Sequence, residues 1–262
     1  MTICIIPARL NSSRFPGKLL AMAGGKSVLQ RTYECALRSK RLDDLMVATD
    51  HAQIADHVRS FGGKIIWTSS SCQNGTERIA DALQREPKLQ QAAYVINLQG
   101  DHPCTSPQTI DQIADMLTLD PTAEMSTAAR TIRSWEDYRS PHVVKCIFDH
   151  TGRALYFSRS PIPYVKNHCD KPPGFQHIGL YGYRTSFLLK IASMQDTDLQ
   201  RSEDLEQLRF LELGYKINVA VVEDEALGVD TPQDLAKLEE WLLCQLNISS
   251  SPAALFPRSE KA

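Results

Sequence analysis

The chain opens on an apolar, largely β-branched run, Ile3-Cys4-Ile5-Ile6, that stops at Pro7-Ala8-Arg9 and passes into Leu10-Asn11-Ser12-Ser13-Arg14-Phe15-Pro16-Gly17-Lys18. A run with no polar alternation predicts a strand buried on both faces, as in a parallel sheet. In open α/β sheets ligands sit beyond the carboxyl ends of strands. There, loop N–H groups, hydroxyls and fixed cations can hold a phosphate chain. Arg9, Arg14 and Lys18 supply the charge here, and Ser12 and Ser13 the hydroxyls. A merely solvated basic loop would need no such order of Ser, Arg, Gly and Lys. The spelling matches neither Gly-x-x-x-x-Gly-Lys-Ser/Thr nor Gly-x-Gly-x-x-Gly, which disfavours an ordinary P-loop or dinucleotide fold.

Downstream the hydrophobic period alternates between strand and helix. Ser27 is placed to cap a helix carrying Val28, Leu29, Tyr33, Ala36 and Leu37 on one stripe. Strands are expected over 45–49, 64–67 and 94–98, and helices over 50–60 and 76–84. This βαβα rhythm predicts a Rossmann-like α/β core, a mostly parallel sheet flanked by helices. From about 125 to 185 the pattern turns to strands, at 126–132, 143–148, 154–157 and 177–183, which reads as an inserted antiparallel β lobe. The segment 165–174 reads as a surface loop. The core resumes with a helix over 203–213, a strand over 216–222 and a helix over 232–246. A single domain is therefore expected over 1–246, with a disordered Ser/Pro-rich tail over 247–262.

Composition narrows the partners. Lys and Arg total 29 against 31 Asp and Glu, so no global field draws the chain to nucleic acid or to an anionic membrane, and any anion site must be local. No apolar run reaches membrane-spanning length and no basic leader precedes the first strand, so a cytoplasmic protein is expected. The seven Cys are odd in number and show no metal-ligand rhythm, so free thiols are expected.

Two carboxylates stand where the pattern puts strand ends. Asp101 follows the 94–98 strand in Gln99-Gly100-Asp101, and Asp230 lies in Gly228-Val229-Asp230-Thr231-Pro232 before the last helix. Mg²⁺ takes hard oxygen ligands, commonly one or two carboxylates completed by phosphate and water. The same residues also serve as helix caps and turn formers, and spacing alone leaves both roles open. Gln73-Asn74-Gly75-Thr76-Glu77-Arg78 precedes an amphipathic helix whose positive end can hold a nucleotide, with Arg78 adding charge. Taken alone, an N-cap with a turn glycine accounts for that block equally.

The ordered spelling Pro7-Ala8-Arg9-x-x-Ser12-Ser13-Arg14-x-Pro16-Gly17-Lys18 resembles the signature of the sugar-acid cytidylyltransferases. The closest likeness is to the 3-deoxy-manno-octulosonate (Kdo) cytidylyltransferase, or CMP-Kdo synthetase, family. The blocks Leu155-Tyr156-Phe157-Ser158-Arg159-Ser160-Pro161, His177-Ile178-Gly179-Leu180-Tyr181-Gly182-Tyr183 and Glu203-Asp204-Leu205-Glu206-Gln207-Leu208-Arg209 agree with it, in the same order.

The resemblance implies a nucleotidyltransferase-type fold and the reaction CTP + Kdo to CMP-Kdo + pyrophosphate, in lipopolysaccharide biosynthesis. The alternatives are transfer to another sugar acid, of sialic-acid or modified-Kdo type, or a non-catalytic nucleotide-binding homologue. Arg14, Lys18 and Asp101 are implied as catalytic, with Asp101 and Asp230 as Mg²⁺ ligands. Pro7, Ala8, Arg9, Ser12, Ser13, Arg14 and Lys18 would contact the nucleotide from the first loop, and Asn74, Gly75, Thr76, Arg78 and Gln99 from the next strand ends. Arg159, His177, Tyr181, Glu206 and Gln207 would form the sugar-acid pocket, and a homodimer would form through the lobe. This chain departs from the family pattern twice. Leu19 stands where Pro is usual, and His102 stands beside Asp101 where Glu is usual, which changes the electrostatics next to the metal and bears on the preferred acid.

Overall fold

The computed structural model describes residues 1–12, 14–167, 169–224 and 227–249. The opening run forms β1 (Thr2–Ala8). Two very short strands, β2 (Met22–Ala23) and β3 (Lys26–Ser27), then make a hairpin before α1 (Val28–Ala36), which Ser27 caps by accepting the Gln30 N–H. The rhythm continues through β4 (Asp44–Thr49), α2 (Ala52–Ser60), β5 (Ile65–Trp67), α3 (Gly75–Arg85) and β6 (Tyr94–Leu98). The sequence reading assigns nothing to α4 (Pro107–Leu119). Its signals are nonetheless present: Ser106 caps it, Pro107 opens it, and Ile110, Ile113, Ala114 and Leu117 form its buried stripe.

The second half runs β7 (Met125–Thr131), α5 (Trp135–Arg139), β8 (Lys145–Phe148), β9 (Ala154–Ser158), β10 (Phe175–Arg184) and α6 (Thr185–Ile191). It closes with α7 (Asp198–Glu203), α8 (Glu206–Glu212), β11 (Ile217–Val221) and α9 (Pro232–Ser249). The tail expected beyond 247 thus begins as the last turn of α9, and its remainder lies outside the described residues. The stretch 165–174 carries no helix or strand among its described residues. All seven cysteines are free thiols.

The large sheet has the order β11-β7-β10-β6-β1-β4-β5. β6, β1, β4 and β5 are parallel neighbours, as are β11 and β7, while β10 runs antiparallel between β6 and β7. The antiparallel stretch expected at 125–185 is continuous with this sheet. β7 and β10 are members of it, and the β8–β9 pair branches from the first residues of β10.

The all-apolar character of β1 follows from burial on both sides. Ile3 and Ile5 join Ile79, Leu83 and Leu208 in one apolar layer, and Cys4 and Ile6 join Leu29, Ile54 and Ile110 in the other. Each fully buried isoleucine contributes roughly 2 kcal/mol. Gly182 lets α4 approach the sheet: a Cβ there would lie 2.6 Å from Ser126 Oγ and 2.9 Å from Ile113 Cγ2. Gly182→Ala should therefore cost about 1–3 kcal/mol, read as a lower urea midpoint, and an unchanged midpoint would contradict this packing.

The helix expected over 203–213 is broken. Asp204 takes the left-handed conformation, φ 51°, and separates α7 from α8. The carbonyls at this corner are already used. Arg159 Nε donates to Glu203 O at 2.7 Å and its Nη2 to Asp204 O at 3.3 Å, while the Glu203 carboxylate accepts from Ser158 Oγ and from the Arg159 N–H. Carbonyls committed to a side chain in this way do not extend the helix.

Candidate active site

Because β1 and β6 are parallel neighbours, the loops leaving their carboxyl ends face each other across a cleft of about 360 Å³. Its wall carries Pro7, Ala8, Arg9, Ser12, Arg14, Lys18, Asn74, Gly75, Arg78, Gln99, Asp101 and Asp230. Ser13 lies outside the described residues. The first loop turns back on itself through Gly17, at φ 71°, whose N–H donates to Leu10 O at 3.1 Å. That turn, which a residue with a side chain would adopt only under strain, sends Lys18 inward.

Lys18 is the centre of the site. Its ammonium donates to Asp101 and, at 2.8 Å, to Asp230 Oδ1, while Arg14 Nη2 reaches the same Asp230 oxygen at 3.0 Å. The Val229 N–H bonds to Asp101 O at 2.9 Å and ties the two carboxylate loops together. Capping of α9 falls to Thr231, not to Asp230: the Thr231 hydroxyl accepts the Asp234 N–H, and the Asp234 carboxylate reaches back to the Asp230 and Thr231 N–H groups. The Asp230 carboxylate is thereby left to face the cations. Burial works against the charge on Lys18, but Asp101 and Asp230 outweigh it and hold the ammonium above the ordinary lysine range. Burial likewise pushes Asp101 up, and the adjacent His102 and Lys18 bring it below the usual carboxylate value.

The second wall is the start of α3. Asn74 caps it by accepting the Glu77 N–H at 2.8 Å, and Glu77 reaches back to the Gln73 N–H at 2.8 Å, a reciprocal cap that fixes the loop. Gly75 lies so close to the first loop that a Cβ would meet Pro7 Cγ at 3.1 Å and Gln99 Nε2 at 3.4 Å. Gln99 is itself held by donation to Asn97 Oδ1 at 2.9 Å. Two residues expected at the nucleotide have their polar groups engaged within the protein, although Arg78 still lines the cleft. Arg78 is buried, its Nη1 donating to Thr68 Oγ1 at 2.7 Å and pairing with Asp50 at 3.3 Å. Thr76 is buried and donates its hydroxyl to Glu206 Oε2 at 3.0 Å.

Four of the five expected sugar-acid residues converge. A register shift in β10 between Ile178 and Tyr181 re-aims that strand. His177 contacts Thr127 Oγ1 at 2.9 Å, and burial pulls its pKa down to about 3, so it serves as a neutral hydrogen-bonding ring. Its ring centroid lies 5.4 Å from that of Tyr181, whose hydroxyl donates to Gln207 Oε1 at 3.3 Å. The buried Gln207 Nε2 has no partner, an open donor. Burial raises the Glu206 carboxyl above its ordinary range. Arg159 stands apart at the α7–α8 corner, fixed on the carbonyls of Pro141, Glu203 and Asp204. His102 lies between the two halves, 3.7 Å from Asp101 Oδ1 and facing Gly179 and Gly228.

Sequence reasoning missed two supports. Glu203 anchors Arg159 and Ser158, a pairing across 45 residues that no local pattern announces. Lys145 is fully buried, its ammonium satisfied by the carbonyls of Ser140, Val143 and Arg159. A lone lysine inside the apolar run 143–148 was the available signal.

A parallel-sheet core with a cationic loop, a capped helix start and two carboxylates around one cleft defines a nucleotidyltransferase. The cytidylyltransferase family model matches residues 3–217. The chain is 48% identical over 247 residues, 94% of its length and 95% of the relative's, to the 3-deoxy-manno-octulosonate cytidylyltransferase of Protochlamydia amoebophila. It is 44% identical over 248 residues to the enzyme of the same name from Chlamydia pneumoniae, covering 94% of this chain and 96% of that one. A solved CMP:2-keto-3-deoxy-manno-octonic acid synthetase complexed with CTP superposes with a TM-score of 0.87 at 34% identity, covering 93% of this chain and 99% of that one. The chain belongs to the 3-deoxy-manno-octulosonate cytidylyltransferase family.

Proposed function

We propose that the protein activates Kdo by transferring CMP from CTP and releasing pyrophosphate. The observation that carries this reading is the single ammonium of Lys18 shared by Asp101 and Asp230 at the mouth of a cleft lined by the Pro7-Ala8-Arg9 loop. Near-full-length identity to enzymes of that name supports the choice of substrates.

In the reaction the anomeric hydroxyl of Kdo attacks the α-phosphorus of CTP, a new phosphorus–oxygen bond forms, and the bond to the β-phosphate oxygen breaks in line. Charge builds on the phosphoryl oxygens and on departing pyrophosphate, where Arg14 and Lys18 neutralise it. The anomeric hydroxyl is itself the nucleophile, and because its carbon already acidifies it, a weak base or water suffices to take its proton as the bond forms. Asp101 and Asp230 fit Mg²⁺: both are hard oxygen donors and both already face one cation. Among the described residues no group of three or more His, Cys, Asp or Glu could hold a metal, so substrate phosphate and water would complete the shell around the two carboxylates. When bound there, the metal would add charge neutralisation at the phosphates.

On the acceptor side, neutral His177, Tyr181 and Gln207 offer donors and acceptors for sugar hydroxyls, and Glu206 a carboxylate acceptor. Arg159, committed to three carbonyls at the α7–α8 corner, is not part of this group. We assign the enzyme to the cytoplasm, to lipopolysaccharide synthesis and to a homodimer. The β8–β9 side, where Leu155 and Tyr164 are exposed, is the face that suits a second subunit. Among the described residues no helix is long and apolar enough to cross a membrane.

The test is a pyrophosphate-release assay crossing CTP and UTP with a panel of 2-keto sugar acids. Release is expected with CTP and Kdo together. Release with a sialic acid but not with Kdo would overturn the substrate assignment, and silence with every acid would favour a nucleotide-binding homologue.

A further inference from the structure

Thr76 belongs by sequence to the Asn74-Gly75-Thr76 turn that faces the nucleotide cleft, yet only 1% of it is exposed and it is absent from the cleft wall. Its hydroxyl donates to Glu206 Oε2 at 3.0 Å, across 130 residues of sequence. The other Glu206 oxygen meets Arg209 Nη2 at 3.3 Å, so the carboxylate is gripped from both sides. Behind it, buried Tyr183 lies near Thr76 and Asn97, and Asn97 accepts from Gln99 on the cleft wall. Polar side chains thus lie between the cleft wall and the first turn of α8, with Thr76 in direct contact with Glu206. A partly buried carboxylate, its side chain 27% exposed, keeps a fixed direction while such partners hold it.

We propose that Thr76 is a positioning residue for the acceptor: its hydroxyl fixes Glu206 for the sugar acid, and nucleotide contact is left to its neighbours Asn74 and Gly75. The proposal rests on the Kdo reading above. It assigns the second wall of the nucleotide cleft a duty on the other substrate, through a side chain that turns away from the cleft.

Thr76→Val keeps the β-branched shape and removes only the hydroxyl. The expected result is a KM for Kdo raised roughly tenfold, with the dissociation constant for CTP alone, measured by calorimetry, within about twofold of the parent. Thr76→Ser should restore the KM. Adding Thr76→Val to Glu206→Gln should raise the KM no further, because the two act through one contact. An unchanged KM for Kdo, a matching loss of CTP affinity, a serine variant as impaired as valine, or additive effects in the double variant would each overturn the proposal. If Thr76→Val does not fold, Thr76→Ala is scored by the same criteria. Silence of the unaltered enzyme with Kdo is a separate outcome: it removes the functional reading before any variant is measured, and this inference with it.

Discussion

Lys18→Met should leave a folded enzyme whose pyrophosphate release with CTP and Kdo falls about a hundredfold or more. The methionine keeps an unbranched stem in a place where the lysine side chain is only 13% exposed, so packing is largely preserved. What is lost is the one ammonium that both carboxylates share, and with it a fixed cation beside the triphosphate. CTP affinity should drop as well, since two carboxylates would then face the phosphates with only Arg14 opposing them. Near-normal turnover would remove Lys18 from the mechanism.

The same variant makes a prediction about stability and pH. The Asp101 pKa is lowered in the folded protein, so its contribution is present above the unfolded carboxylate value and is lost as pH falls through the folded one. The Lys18 pKa is raised, so its contribution is present below the unfolded lysine value and is lost as pH rises through the folded one. The gap in urea midpoint between parent and Lys18→Met should thus be widest between about pH 5 and pH 10 and close at both ends. A gap independent of pH would mean that the stem, not the charge, stabilises the fold.

Asp101→Asn should cost on the order of a hundredfold to a thousandfold in turnover and raise the Mg²⁺ concentration needed for half-maximal rate. Asp230→Asn should cost less, about tenfold, because its side chain is 43% exposed against 23% for Asp101 and water can stand in for part of its role. The contrast with Lys18→Met is diagnostic. Removing a negative charge beside a polyanion should leave metal-free CTP binding unchanged or tighter, whereas removing the lysine should weaken it. Full activity of Asp101→Asn at ordinary Mg²⁺ would exclude the carboxylate from metal binding.

The parts of this molecule legible in its sequence are those governed by local rules. The uninterrupted run Ile3 to Ile6 could be apolar at every position only if both faces were covered, and the two apolar layers against β1 are that cover. Ser27 and Asn74 cap the helices that follow them because a short oxygen-bearing side chain before an amphipathic stripe has few other uses. The order of motifs also announced which segments would meet around the cleft. It did not announce where side chains would point. Thr76 and Glu206 are neighbours only because α3 and α8 lie over the same side of the sheet, and the break at Asp204 sits where Arg159, 45 residues earlier in the chain, bonds its carbonyl. Asp230 is left to the cations because Thr231 and Asp234 close the start of α9 between them, a choice that spacing alone did not make.

β10 runs against the direction of its neighbours β6 and β7, and its register puts Leu180 beside Leu98, so its opening residues lie past the end of β6 at the cleft. His177 on the acceptor side is therefore delivered by the beginning of a strand, whereas the residues that would grip the triphosphate follow strand endings. One reversed strand thus brings an acceptor-side ring to the same edge of the sheet at which the phosphate-handling loops emerge.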